Sequence, residues 1–185
     1  MSTVAIQGVK GSYSEEATIQ LIGGNADIVE CLDFSETFDA VVSRRAEYAV
    51  VPVANKIVGE IEGTMERLRG NAFRIYERMP LKVMHVLAGT AHAEIGSIRT
   101  VRSHVEALKQ CKRFLNANGH WTQIIGADTA SSIRRVIDED VSSNAAIGSR
   151  RATEIYGAKI LAENIADDHD NWTTFWLIGR SETHS

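Results

Sequence analysis

The sequence predicts an α/β protein of two lobes with a ligand cleft between them, and three observations carry that prediction. Short runs rich in β-branched and aromatic residues alternate with amphipathic helical runs, the pattern of strands and their covering helices. The alternation restarts after Pro80, as a second unit would. The last strand pattern, "TTFWLIGR", has no helix behind it and is most simply returned to the first sheet. These place the first lobe at 1–78 plus 171–185 and the second at 79–170. A cleft between such lobes is the default site for a small ligand.

In the first lobe, "TVAIQG" (3–8) reads as a strand and "SEEATIQLIGG" (14–24) as a helix. Ser14, Glu15 and Glu16 suit the positive helix N-terminus, and Gly23-Gly24 suits a C-terminal stop. "ADIVECL" is a second strand; "SETFDAVVSRRA" is a helix capped by Ser35, with Phe38, Val41 and Val42 on its apolar face. "YAVVPVAN" is a third strand ending at a loop, and "GEIEGTMERLR" carries Ile61, Met65 and Leu68 at helical spacing. The second lobe reads as a long strand "LKVMHVLAG", then "IRTVRS", a 103–118 helix, "TQIIGA", a helix from about 129, "NAAIGS" and a 149–156 helix. "SETHS" reads as a frayed tail.

Composition narrows the function. The chain is 44% hydrophobic and 24% charged, ordinary for a globular fold. A net charge of -4 argues against a nucleic-acid partner, which needs a concentrated basic face. No apolar run approaches the roughly 20 residues of a spanning helix, so no membrane anchor or secretion signal is expected. Cys31 and Cys111 lack C-x-x-C spacing and read as buried free thiols in a reducing cytoplasm.

Polar residues gather where strands give way to helices: "GSYS", "PVANK", "RSHVEA", "ADTASS" and "GSRR". Free helix N–H groups at such junctions favour an anion, and several together would suit a small multiply charged acid. Any one of them is more simply an N-cap, contributing about 1 kcal/mol. His85 lies in an apolar run and reads as a satisfied core histidine; His92, His120, His169 and His184 read as loop or tail residues. Trp121, Trp172 and Trp176 read as core or interface residues, and "ENIADDHD" as a solvated loop. Metal, phosphate-loop and dinucleotide motifs are absent, so no cofactor is expected.

Taken together, these segments resemble the catalytic domain of the prephenate dehydratase family over about residues 3–180. "VAIQGVKGSYSEEA" is similar to the family's opening Gly-x-x-Gly-Thr-Phe-Ser stretch, and "YAVVPVANKIVGEIEGTMERL" to its Val-Pro-Ile-Glu-Asn-Ser segment and following helix. "SHVEALKQCKRFL" is similar to Ser-His-Pro-x-Ala-Leu-x-Gln-Cys, and "DTASSIRRV" to the Ser-Thr-Ala helix start. The stretch from "AAIGSRR" to "NWTTFWLIGR" resembles the closing segment with its Asn-x-Thr-Arg-Phe motif.

The resemblance implies a fold of the type-II periplasmic-binding-protein kind, with the last strand in the first lobe. It also implies loss of CO2 and hydroxide from prephenate to give phenylpyruvate, in phenylalanine synthesis. Carried over position by position, Thr173 is the essential catalytic threonine, while Ser12, Asn55, Ser103, Gln110, Thr129, Ala130 and Phe175 are substrate-binding. Three positions depart from the pattern: Ala54 replaces the Glu of Glu-Asn-Ser, Lys56 replaces its Ser, and Thr174 replaces the Arg of Thr-Arg-Phe. Hydroxyls cannot imitate a lost guanidinium fork, so these are candidate retuned positions. They leave arogenate dehydration, non-aromatising decarboxylation of prephenate, and silent binding of a small acid as alternatives. The expected partners are a prephenate-like dicarboxylate and a second copy of the chain, as homodimer or larger. Many relatives continue into a phenylalanine-binding ACT domain; feedback through such a domain is not expected here.

Overall fold

The computed structural model describes residues 2–69 and 72–181. His184 and most of the predicted tail lie outside the described residues. The chain divides into two compact units. Unit 1 holds the described residues of Met1–Val9, Tyr13–Lys82 and Asp170–Ser185; unit 2 holds Lys10–Ser12 and Val83–His169.

Unit 1 is a mixed sheet. Its strands are β1 (Thr3–Gln7), β2 (Asp27–Cys31), β3 (Tyr48–Asn55), β4 (Gly59–Glu60) and β5 (Phe73–Lys82), with β11 (Trp172–Arg180) from the end of the chain. The order is β2-β1-β3-β11-β5, and β4 pairs with β3. The first three strands run parallel, and β11 enters antiparallel between β3 and β5. Helices α1 (Tyr13–Ile22), α2 (Phe34–Val42) and α3 (Glu62–Leu68) complete the unit. Alternating strand residues feed two apolar clusters. One gathers Phe38, Val41, Val51, Val53 and Ile178; the other gathers Val4, Ile6, Ala17, Val50, Phe175 and Leu177.

Unit 2 has strand order β10-β6-β9-β7-β8, from β6 (Val86–Gly89), β7 (Thr100–Ser103), β8 (Thr122–Ile125), β9 (Asn144–Gly148) and β10 (Lys159–Ala162). Its helices are α4 (Val105–Gln110), α5 (Lys112–Ala117), α6 (Thr129–Glu139) and α7 (Arg150–Tyr156). The core around Leu87, Ile98, Val101, Leu115, Trp121 and Ile147 is drawn from this unit.

Several local expectations are corrected. The helix cap at α2 is Asp33, not Ser35: its carboxylate accepts from the Glu36 N–H at 2.8 Å. The long strand expected at 81–89 is instead the end of β5 and a separate β6. Pro80, which cannot donate to a ladder, is tolerated because β5 is the sheet edge. The single 103–118 helix is broken at Cys111, whose ψ of 24° lies outside the helical range. "ENIADDHD" is not simply solvated, since Ile165 and Ala166 pack into the unit 2 core. Cys31 and Cys111 are buried free thiols; burial, with a smaller contribution from Asp167, pushes Cys111 up to about 12.

Candidate functional site

In unit 1 the predicted residues meet where β3 ends and β11 begins. The antiparallel register sets Asn55 opposite Thr173 and Ala54 opposite Thr174. Directly opposed residues share a face of the sheet, so consecutive positions give two distinct rows.

The first row is a buried polar network. The Asn55 side-chain oxygen accepts from the backbone N–H of Ile57 at 2.9 Å and of Val58 at 3.1 Å. A backbone N–H can only donate, which fixes the orientation of the amide. The Asn55 NH2 group must therefore face Asn171 and Thr173. It donates to the Asn171 side-chain oxygen at 2.8 Å and to Thr173 Oγ1 at 2.8 Å. Exposures of 8% for Asn55, 0% for Asn171 and 7% for Thr173 keep bulk water from competing. All four hydrogen-bonding capacities of Asn55 are thereby committed. Both donors of the Asn55 amide are directed to Asn171 and Thr173, which sets Asn55 behind Thr173 in the network. Thr173 Oγ1 is an acceptor towards Asn55, so its own proton is directed elsewhere. Asn171 is the Asn of the Asn-x-Thr-Arg-Phe resemblance but has no role assigned from sequence; the strand register and its bond to Asn55 supply one.

The second row holds the departures. Ala54 and Thr174 are opposite one another, and the row continues to Glu60 beside Ala54 and Pro80 beside Thr174. Two substitutions far apart in sequence are thus one cross-strand pair. Lys56 forms an ion pair with Asp170, whose other oxygen accepts from Trp172 Nε1 at 2.8 Å. The Lys56 and Trp172 hydrogen bonds hold the Asp170 carboxyl below its usual range. The Lys56 charge faces the Asp170 carboxylate within unit 1. Phe175 lies between Pro52 and Met79 in the ladder and, at 2% exposure, packs in the core cluster with Val50 and Leu81.

The other predicted residues lie in unit 2. Ser12 is buried in the segment Lys10–Ser12. Ser149 Oγ donates to the Gly11 carbonyl at 2.7 Å, and the Tyr156 hydroxyl donates to the Lys10 carbonyl at 2.5 Å. Gly11 has φ +90°, and an added Cβ would lie 2.8 Å from Ala152 Cα, so only glycine allows this approach. Ser103 closes β7, fully buried, and gives its proton to the Ile147 carbonyl at 2.7 Å. Gln110 ends α4, its side-chain oxygen 2.9 Å from His85 Nε2. His85 is buried, and burial lowers its pKa against the opposing effect of this hydrogen bond. The neutral ring, with Nε2 protonated, donates to Gln110 and fixes its carboxamide. The predicted core histidine is satisfied, and its partner is itself a site candidate. Thr129 and Ala130 open α6, where Asp128 caps the Ser131 N–H at 2.7 Å. Ala130 is fully buried, so only its backbone remains for binding.

The caps limit the anion reading of the junctions. Asp128, Ser149 and His104 take the N–H groups of Ser131, Ala152 and Glu106. Asp128 also places a carboxylate at the start of α6, against an incoming anion.

Comparison with known proteins supplies the family. A family model described as prephenate dehydratase matches residues 4–183. The chain is 36% identical over 177 residues to arogenate dehydratase/prephenate dehydratase 1, chloroplastic, of Arabidopsis thaliana, covering 96% of this chain and 45% of that one. It is 32% identical over 182 residues to the bifunctional chorismate mutase/prephenate dehydratase of Neisseria gonorrhoeae, covering 98% and 50%. Among solved structures, a prephenate dehydratase from Arthrobacter aurescens in complex with L-Phe superposes with a TM-score of 0.88 at 25% identity, covering 98% of this chain and 61% of that one. The chain spans about half the length of the curated relatives it matches.

Proposed function

The chain belongs to the prephenate dehydratase family, and from that premise we propose that it converts prephenate to phenylpyruvate, with Thr173 at the departing hydroxyl. The ring–carboxylate bond breaks, its electron pair moves through the ring diene, and the ring C–O bond breaks with its pair on oxygen. Hydroxide takes one proton from solvent and leaves as water. The aromatic product makes the step strongly downhill, so positioning and stabilisation of the leaving oxygen are the protein's task. A threonine hydroxyl is too weak an acid to give up its proton at neutral pH. Thr173 therefore acts as a hydrogen-bond donor to the developing hydroxide rather than as a proton source.

The observation that carries this reading is the polarity of the network, in which Asn55 donates to Thr173 and the threonine proton faces away from it. In unit 2, the side chains of Ser12, Gln110 and Thr129 are the groups we assign to substrate binding, and Ser103 supports the β7 end. Arogenate is the second reading, favoured by the Arabidopsis relative's name. A non-aromatising decarboxylation of prephenate stays tied to the Ala54–Thr174 departure. A cytoplasmic homodimer or larger assembly belongs to the same reading; the exposed Leu32, Val42 and Ile125 are apolar surface suited to a contact. Light scattering would measure its mass.

The test is turnover of prephenate and of arogenate by the purified chain, with products identified by NMR. Phenylpyruvate is expected from prephenate, and Thr173→Ala is expected to lower kcat by about 10²–10³-fold, the usual cost of removing one such donor. Thr173→Ser should retain most of the rate. No product above the spontaneous background from either substrate would sink the proposal.

A further inference from the structure

We propose that Asn171 is a positioning residue for the Thr173 hydroxyl, acting through Asn55; the kinetic part of this rests on the reading above. Asn171 is fully buried, and its side-chain oxygen receives one of the two Asn55 amide protons at 2.8 Å. The second proton goes to Thr173 Oγ1 at the same distance. An NH2 group is planar and its two N–H bonds are held about 120° apart, so anchoring one of them sets the direction of the other. The backbone N–H groups of Ile57 and Val58 hold the oxygen end of Asn55, and Asn171 holds the nitrogen end. Without Asn171 the nitrogen end would keep only its bond to Thr173, and the last torsion, broad in asparagine, would be less narrowly held.

The second consequence concerns the threonine proton. With the donated N–H fixed on one lone pair of Thr173 Oγ1, the hydroxyl rotor keeps only orientations that point its proton away from Asn55. A preorganised donor avoids reorientation at the moment of reaction. Asn171 thus acts two hydrogen bonds away from Thr173 Oγ1 and three from the leaving oxygen, never touching it. The strand pairing that makes this possible is the same that seats Lys56 N–H on the Trp172 carbonyl at 2.8 Å, holding residues 171–173 against the end of β3.

The experiment compares Asn171→Leu, Asn171→Asp, Thr173→Ala and the Asn171→Leu/Thr173→Ala double variant, with wild type measured first. Asn171→Leu is expected to lower kcat by about 10²-fold, as small misplacements of a reacting group do, with KM unchanged within about twofold. Asn171→Asp keeps an oxygen facing Asn55 and should recover part of that loss. In the Thr173→Ala background Asn171→Leu should cause no further loss. An undiminished kcat in a folded Asn171→Leu chain, or an equal further loss in the double variant, would overturn the inference. The side-chain NH2 resonances of Asn55 supply a readout independent of turnover. They should shift in Asn171→Leu and, separately, in Thr173→Val. If wild type turns over neither substrate, the proposed function fails, and unshifted Asn55 resonances would still overturn the relay on their own. Should Asn171→Leu fail to fold, Asn171→Asp and Thr173→Val carry the same resonance test.

Discussion

At the scale of single residues, side-chain type was readable from sequence but hydrogen-bond polarity was not. Asn55, Gln110 and Thr173 stand out as polar residues at element ends, yet an amide can donate or accept. Only the two N–H groups of Ile57 and Val58 decide that Asn55 offers its nitrogen to Thr173. Asn55→Asp tests this directly. One carboxylate oxygen would keep the turn to Ile57 and Val58, while the other would replace the NH2 and draw the Thr173 proton towards itself. We expect kcat to fall by about 10²–10³-fold, as for loss of the donor, with KM little changed. A direct contact between Asn55 and a substrate carboxylate would give the opposite split, because like charges would raise KM. Steady-state kinetics on a variant of checked thermal stability separates the two.

At the scale of elements, the parallel strands and most helices were legible because their periodicity is local, and what escaped was non-local. β5 carries a proline and exposed charges, a pattern that argues against a central strand; it is an edge strand beside β11. The break between α4 and α5 leaves no mark in the apolar spacing. The pairing of Ala54 with Thr174 spans most of the chain and depends on register, which sequence reading did not fix. That pairing changes the meaning of the departures: a glutamate and an arginine at these positions would face each other across the ladder, so losing either alone would strand a charge. Ala54→Glu alone would set a carboxylate beside Glu60 and should destabilise the chain. Thr174→Arg alone should do little. The double variant should be more stable than the sum of the two by about 0.2–1 kcal/mol, the range of an opposite-charge cross-strand pair. Urea unfolding of the four proteins measures that coupling, and strict additivity would separate the two positions again.

At the scale of the molecule, the two units differ in how they use the chain. Unit 1 depends on both ends, because β11 lies between β3 and β5 and carries Thr173. Unit 2 draws all five strands and its core cluster from residues 83–169, borrowing only Lys10–Ser12. A fragment of residues 83–169 should therefore fold on its own, with cooperative melting and dispersed amide resonances, whereas residues 1–82 should not. The fragment also isolates a pH effect. Burial places the His85 pKa below its ordinary 6.5, so between the lowered value and 6.5 the unfolded chain binds a proton that the folded chain refuses. Stability is then fully present above about 6.5 and falls as the pH drops through that window. Asp170, held low by Lys56 in unit 1, acts in a separate window: its contribution is present above the ordinary 3.8 and is lost only as the pH falls towards its lowered value. Thermal melts of the fragment at stepped pH should show the first loss, and His85→Gln should remove it while the cooperative transition survives. A fragment whose melting point stays level from pH 7 to about 5 would show that His85 titrates alike in the folded and unfolded chain, and that its bond to Gln110 offsets the burial.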